Sequence, residues 1–131
     1  MMGWPNVYLL LPGTAREALE FYRGVFDGEL ELHDYAEFGR TDGPGDAVAH
    51  GVLSGRVALM MADAGAGEDA VATTGIMLSL LGEEPALLRR WFAALAEGGR
   101  VLDDLQQRAW GDWDGQVRDR FGLTWLIGFK G

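Results

Sequence analysis

The sequence predicts an α+β domain built from two consecutive βαβββ units. Two segments space their apolar residues at the helical period. Each follows a short apolar run of strand length and precedes three strand-like segments broken by glycine-containing turns. The helices begin at Thr14 and Glu84, so one order of elements is used twice along a single domain of residues 1–131.

In the first unit, residues 7–63, the run 7–11 is a strand that Pro12 and Gly13 end by removing an amide donor and loosening the backbone. Thr14 and Glu17 have capping-box spacing, and Ala15, Ala18, Leu19, Tyr22, Val25 and Phe26 form an apolar stripe. Arg16, Glu20 and Arg23 keep to the polar side, and Asp27-Gly28 stops the helix. Residues 29–38 read as a strand, 39–45 as a loop, and 47–53 with 56–62 as a hairpin turning at Ser54-Gly55. Residues 64–74, rich in Gly and Ala and without periodicity, form a connector whose length favours mobility.

The second unit, residues 75–130, repeats the pattern. Residues 76–81 are an apolar strand, Pro85 suits a first helical turn, and Leu88, Trp91, Phe92 and Leu95 make the stripe before Gly98-Gly99. Residues 100–108, 113–118 and 124–129 supply three strands, with turns expected at Asp114-Gly115 and Phe121-Gly122. Alternation on the last strand sets Trp125 with Ile127 and Phe129, opposite Leu126, so Trp125 is expected under the helix. Asp119 is expected to form a turn rather than act as an acid.

The composition is 48% apolar, which supports a folded chain, and no apolar run reaches the roughly 18 residues of a membrane span. With 20 acidic against 11 basic residues, the net charge of −9 repels nucleic acid and anionic membranes, so neither is an expected partner. The absence of cysteine and of a secretory leader pattern sets cytoplasmic residence as the expectation. Nucleotide-binding glycine fingerprints and nucleophile elbows are missing as well.

The run Trp110-Gly111-Asp112, Gly115, Asp119, Phe121, Gly122 and Trp125 resembles the closing segment of PhnB-like members of the vicinal oxygen chelate superfamily. That superfamily includes glyoxalase I, extradiol dioxygenases and bleomycin-resistance proteins. The resemblance extends to Glu20-Phe21-Tyr22 with its stop at residues 26–28 and to residues 95–101, and it covers essentially the whole chain. It implies a glyoxalase-like fold, in which curved sheets of the two units surround a cleft that holds a small molecule. It also implies a homodimer, and the strand edges that such sheets expose argue the same way.

Metal-using members of the superfamily place His, Gln or Glu on the first, fourth, fifth and eighth strands. The matching positions here are Val7, Leu59 or Met60, Gly75 and Leu126, none of which suits a hard or borderline cation. No metal ligand and no cofactor are therefore predicted. His50 lies mid-strand, where PhnB-like relatives also carry histidine. It can serve as a base, a donor to a ligand or a lone metal ligand; the alternative is a strand histidine satisfied by a neighbouring carbonyl. His33, flanked by Glu31 and Asp34, is expected to be solvated.

Trp110 and Trp113, with Gln106 as a polar handle, suit an apolar pocket, although either tryptophan can instead fill the core. The predicted ligand-binding set is thus His50, Gln106, Trp110 and Trp113. The preferred function is metal-free binding of a small molecule, an antibiotic or a metabolite. The competing one is an isomerase, lyase or transferase that uses His50 on a small oxygenated substrate. Some relatives bear a demethylubiquinone methyltransferase label, but no cofactor motif here supports methyl transfer.

Overall fold

The computed structural model describes residues 5–72 and 75–131, and the chain divides into two compact units between Val71 and Ala72. Each unit is βαβββ, as expected. Residues 73 and 74, the end of the expected connector, lie outside the described residues.

The first unit comprises β1 (Tyr8–Leu11), α1 (Ala15–Phe26), β2 (Glu29–Asp34), β3 (Val48–Ser54) and β4 (Leu59–Asp63). Its sheet has the order β1-β4-β3-β2, with β1 parallel to β4 and the other pairs antiparallel. The expected stripe is the buried face of α1: Ala15, Ala18, Leu19, Tyr22 and Phe26. They pack with Leu11, Leu53, Leu59 and Met61, each large side chain contributing roughly 1.5–3 kcal/mol by leaving water. Gly51 lets the helix approach, because a Cβ there would lie 2.5 Å from Leu19 Cδ1.

The start of α1 corrects the capping-box expectation. Thr14 makes no side-chain cap bond; the amide of Ala15 instead donates to Asp63 Oδ1 at 2.9 Å, and the amide of Val48 donates to Asp63 Oδ2 at 2.9 Å. A buried carboxylate from β4 therefore caps the helix and pins β3, with the charge near the positive end of the helix. The Tyr35 hydroxyl donates to the Asp63 carbonyl at 2.6 Å.

The second strand also ends earlier than expected. At Asp34 the chain turns, because Asp34 Oδ1 accepts the Glu37 amide and Glu37 Oε2 accepts the Asp34 amide, a reciprocal pairing that competes with strand extension. The start of the connector is tied to its unit: the Ala64 and Val71 amides donate to the carbonyls of Leu11 and Leu10, and Glu68 pairs with Arg40.

The second unit comprises β5 (Leu78–Gly82), α2 (Pro85–Ala96), β6 (Arg100–Gln107), β7 (Trp113–Arg118) and β8 (Thr124–Phe129), in the sheet order β5-β8-β7-β6. Leu88, Trp91, Phe92 and Leu95 are the buried side of α2, as the spacing predicts. Trp125 is buried, and its indole N–H donates to Asp119 Oδ2 at 2.8 Å. Asp119 Oδ1 accepts the amides of Phe121 and Leu123, so this buried aspartate shapes the turn before β8. The expected Asp114-Gly115 turn is not one: both residues lie inside β7, opposite Gly128 and Ile127. The chain reverses instead at residues 108–112, where the Arg108 amide donates to the Asp112 carbonyl at 2.7 Å.

Candidate functional site

Alternation gives the first sheet one face under α1 and one face free of it. Leu53, Leu59 and Met61 take the helix side, and Tyr8, Met60, Val52 and Glu31 share a row on the other. In the next row His50 stands directly opposite His33. Four rings line up across this helix-free face. Tyr8 and His50 stack at 5.7 Å and 18°, His50 and His33 at 6.4 Å and 15°, and His33 and Phe38 at 5.5 Å and 24°. Tyr8 and Phe38 remain 44% and 54% exposed, so the ends of the ladder stay wet while His50 is half-buried between them.

The Tyr8 hydroxyl lies 2.9 Å from His50 Nδ1. Burial pushes the Tyr8 phenol above its ordinary range, outweighing the nearby Arg40 charge, so it keeps its proton at neutral pH. When that proton is donated to Nδ1, the neutral imidazole carries its own proton on Nε2 and offers a ligand a donor. In the opposite tautomer Nδ1–H donates to the phenol oxygen, and Nε2 becomes a free base. One pair thus supports either a binding contact or proton abstraction, according to where one proton resides.

His33 keeps the solvent contact expected of it and is also held by two carboxylates. Its Nδ1 lies 2.8 Å from Glu37 Oε1 and its Nε2 3.0 Å from Glu31 Oε2. Hydrogen bonding to Glu37 first, then to Glu31, raises its pKa above the ordinary 6.5. The turn at Asp34 creates this clamp by folding Glu37 back over the ring. The spacing of Asp34 and Glu37, that of a capping pair, is the sequence signal that marks it.

In the second unit Trp110 and Trp113 line one cavity of about 470 Å³ together with Leu81, Glu83, Asp112 and Phe129. Trp110 is 71% exposed on the loop before β7. Trp113 stacks on Phe129 at 5.9 Å, and the Arg89 guanidinium of α2 lies 4.6 Å from its ring centre, which places Trp113 on the helix side of the sheet. Gln106 is not brought to this cavity: its amide nitrogen donates to Asp103 Oδ1 and to the Asp104 carbonyl. Of the four predicted ligand-binding residues, only Trp110 and Trp113 share a cavity; His50 belongs to the first unit. Tyr8, the partner of His50, is the residue that sequence reasoning missed, because only the parallel pairing of β1 with β4 sets it on the same face.

The positions matched to a metal set do not supply a donor shell. Leu59 packs on the α1 side, Gly75 sits in a turn at φ +81°, and Val7 and Leu126 are hydrocarbon. Met60 offers only a soft thioether, which a hard or borderline cation binds poorly. Among the described residues, no three His, Cys, Asp or Glu side chains group closely enough to hold an ion, and no helix is long and apolar enough to cross a membrane.

The family model of the Glyoxalase/Bleomycin resistance protein/Dioxygenase superfamily matches residues 4–127. Protein YjdN of Escherichia coli (strain K12) is 29% identical, over 92% of this chain and 90% of its own length. The crystal structure of protein PA1353 from Pseudomonas aeruginosa shares 31% identity with a TM-score of 0.79, covering 97% of this chain and 98% of that one. A PhnB protein from Bacillus cereus superposes with a TM-score of 0.80 at 22% identity, over 97% and 99% of the two chains, a likeness of fold.

Proposed function

Because the chain belongs to the Glyoxalase/Bleomycin resistance protein/Dioxygenase superfamily, we propose that it binds a small organic molecule without the divalent metal many superfamily members use. The Tyr8–His50 pair carries this reading. It sets one directed polar group among Val52, Met60 and stacked rings on a sheet face that the helix leaves free, a composition suited to a flat, partly polar ligand. Trp110 and Trp113 are the proposed contacts in the second unit, their cavity combining aromatic surface with acidic neighbours. We also propose that two copies pair as a homodimer, since the outer strands β1, β2, β5 and β6 each leave one edge without a strand partner among the described residues.

The test is a thermal-shift screen of small aromatic metabolites and antibiotics run in EDTA, with metal analysis of the same natively purified protein. Saturable stabilisation with no stoichiometric Zn, Ni, Mn or Fe supports the proposal. About one equivalent of ion per chain, with a melting temperature lowered by chelator, overturns it.

A second reading rests on the same pair in its other tautomer, with His50 Nε2 as general base on a small oxygenated substrate. It differs by one outcome: the bound molecule is recovered chemically changed, and Tyr8→Phe and His50→Ala each abolish the change.

A further inference from the structure

The second unit places two arginines at directly paired strand positions. Arg100 of β6 is the register partner of Arg118 of β7, and like charges placed opposite on neighbouring strands destabilise a sheet. In a chain with 20 acidic residues, neither arginine forms an ion pair among the described residues. Arg108, eight residues on from Arg100, shows the usual outcome on the same hairpin, where it is neutralised by both Asp103 and Asp114.

Arg118 also stands at a cavity of about 250 Å³ on the face of the second sheet opposite its buried neighbour Val117. Its Nε–H donates to Thr124 Oγ1 at 3.3 Å, which orients the guanidinium and leaves the terminal nitrogens of the fork without acceptors among the described residues. Gln116 adds a side-chain amide beside it, and Ile76, Met77 and Leu102 form the apolar side of the cavity. Ile76 and Met77 are 61% and 45% exposed, apolar surface left open among the described residues. The volume lies below the range of drug-sized pockets, so it admits a ligand of about one substituted ring.

We infer that this cavity is an organic-anion subsite. The fork of Arg118, assisted by the charge of Arg100, takes a carboxylate or phosphate, and the body of the ligand lies on Ile76, Met77 and Leu102. The anion supplies the countercharge that the two opposed arginines lack, and the planar fork matches either group bidentately. The site is carried by the second unit alone and does not depend on the Tyr8–His50 reading.

Benzoate, phenyl phosphate and neutral benzamide are the probes, titrated calorimetrically into the full-length protein, its Arg118→Gln and Arg100→Gln variants, and Arg23→Gln as a surface-charge control. Circular dichroism verifies that each variant is folded. We expect at least one anion to bind saturably in the millimolar range or tighter, at least about tenfold better than benzamide. Arg118→Gln should weaken it about tenfold or more, Arg100→Gln several-fold, and Arg23→Gln not at all; the better of the two anions identifies carboxylate or phosphate as the preferred group. No saturable binding of either anion up to about 10 mM, equal binding of benzamide, or unchanged binding by folded Arg118→Gln overturns the inference.

Discussion

Asp63 is the residue on which the first unit's geometry most depends. Both amides that donate to its carboxylate, those of Ala15 and Val48, belong to residues with no solvent exposure, so water cannot replace the lost acceptor. Leaving one buried N–H unsatisfied costs about 1–3 kcal/mol, so Asp63→Ala should cost about 2–6 kcal/mol. Asp63→Asn keeps one carbonyl acceptor but turns an NH₂ toward the other amide, and should cost about 1–3 kcal/mol. Thr14→Ala should cost under about 0.5 kcal/mol, because Thr14 makes no cap bond to lose. Urea unfolding followed by tryptophan fluorescence and circular dichroism measures all three by linear extrapolation. An Asp63→Ala cost below about 1 kcal/mol, or a Thr14→Ala cost as large, would refute the assignment of the helix cap to β4.

The remaining predictions concern the pocket, the core and pH. His50→Ala and Trp110→Ala should stay within about 1–2 kcal/mol of the parent stability while weakening a ligand found in the thermal-shift screen; unchanged affinity in both would move the pocket elsewhere. Phe92→Ala, in the packed stripe of α2, should cost about 3–5 kcal/mol in the same urea assay, and a cost under 1 kcal/mol would contradict its core placement. His33 should titrate above 6.5 by NMR, since Glu37 and Glu31 favour its charged form. Its folded pKa being raised, the stability it adds is fully present below its unfolded pKa and fades as pH rises through the folded value. His33→Gln should remove that pH dependence, and a parent whose stability rises over the same interval would contradict the clamp.

The two helices were legible because their apolar residues recur at 3.6-residue spacing within a dozen positions, and stripes such as Leu88, Trp91, Phe92 and Leu95 need no distant partner to be read. Trp125 was placed in the core by period-two alternation, which is equally local. What escaped depends on register between strands. The cap from Asp63 and the approach of Tyr8 to His50 are set by pairings that no short window contains, and the opposition of Arg100 to Arg118 depends on register shifts inside the β6–β7 hairpin. At Asp34 and Gly115 the local signals misled. The Asp34–Glu37 pairing overrode strand continuation, while Asp114-Gly115 has the composition of a turn yet lies in β7. Gly115 is needed there because a Cβ would lie 2.8 Å from the backbone of Leu105.

Small-molecule binding at the Tyr8–His50 face without a metal can be read from NMR of the histidine and tyrosine ring signals. The titrants are single-ring phenols and amides, with EDTA present throughout. Saturable shifts of the Tyr8 and His50 rings are expected with at least one compound, with an affinity reduced several-fold in Tyr8→Phe, which keeps the stack and loses the hydroxyl. Ring signals that no compound perturbs, or that respond only after a divalent ion is added, would contradict it.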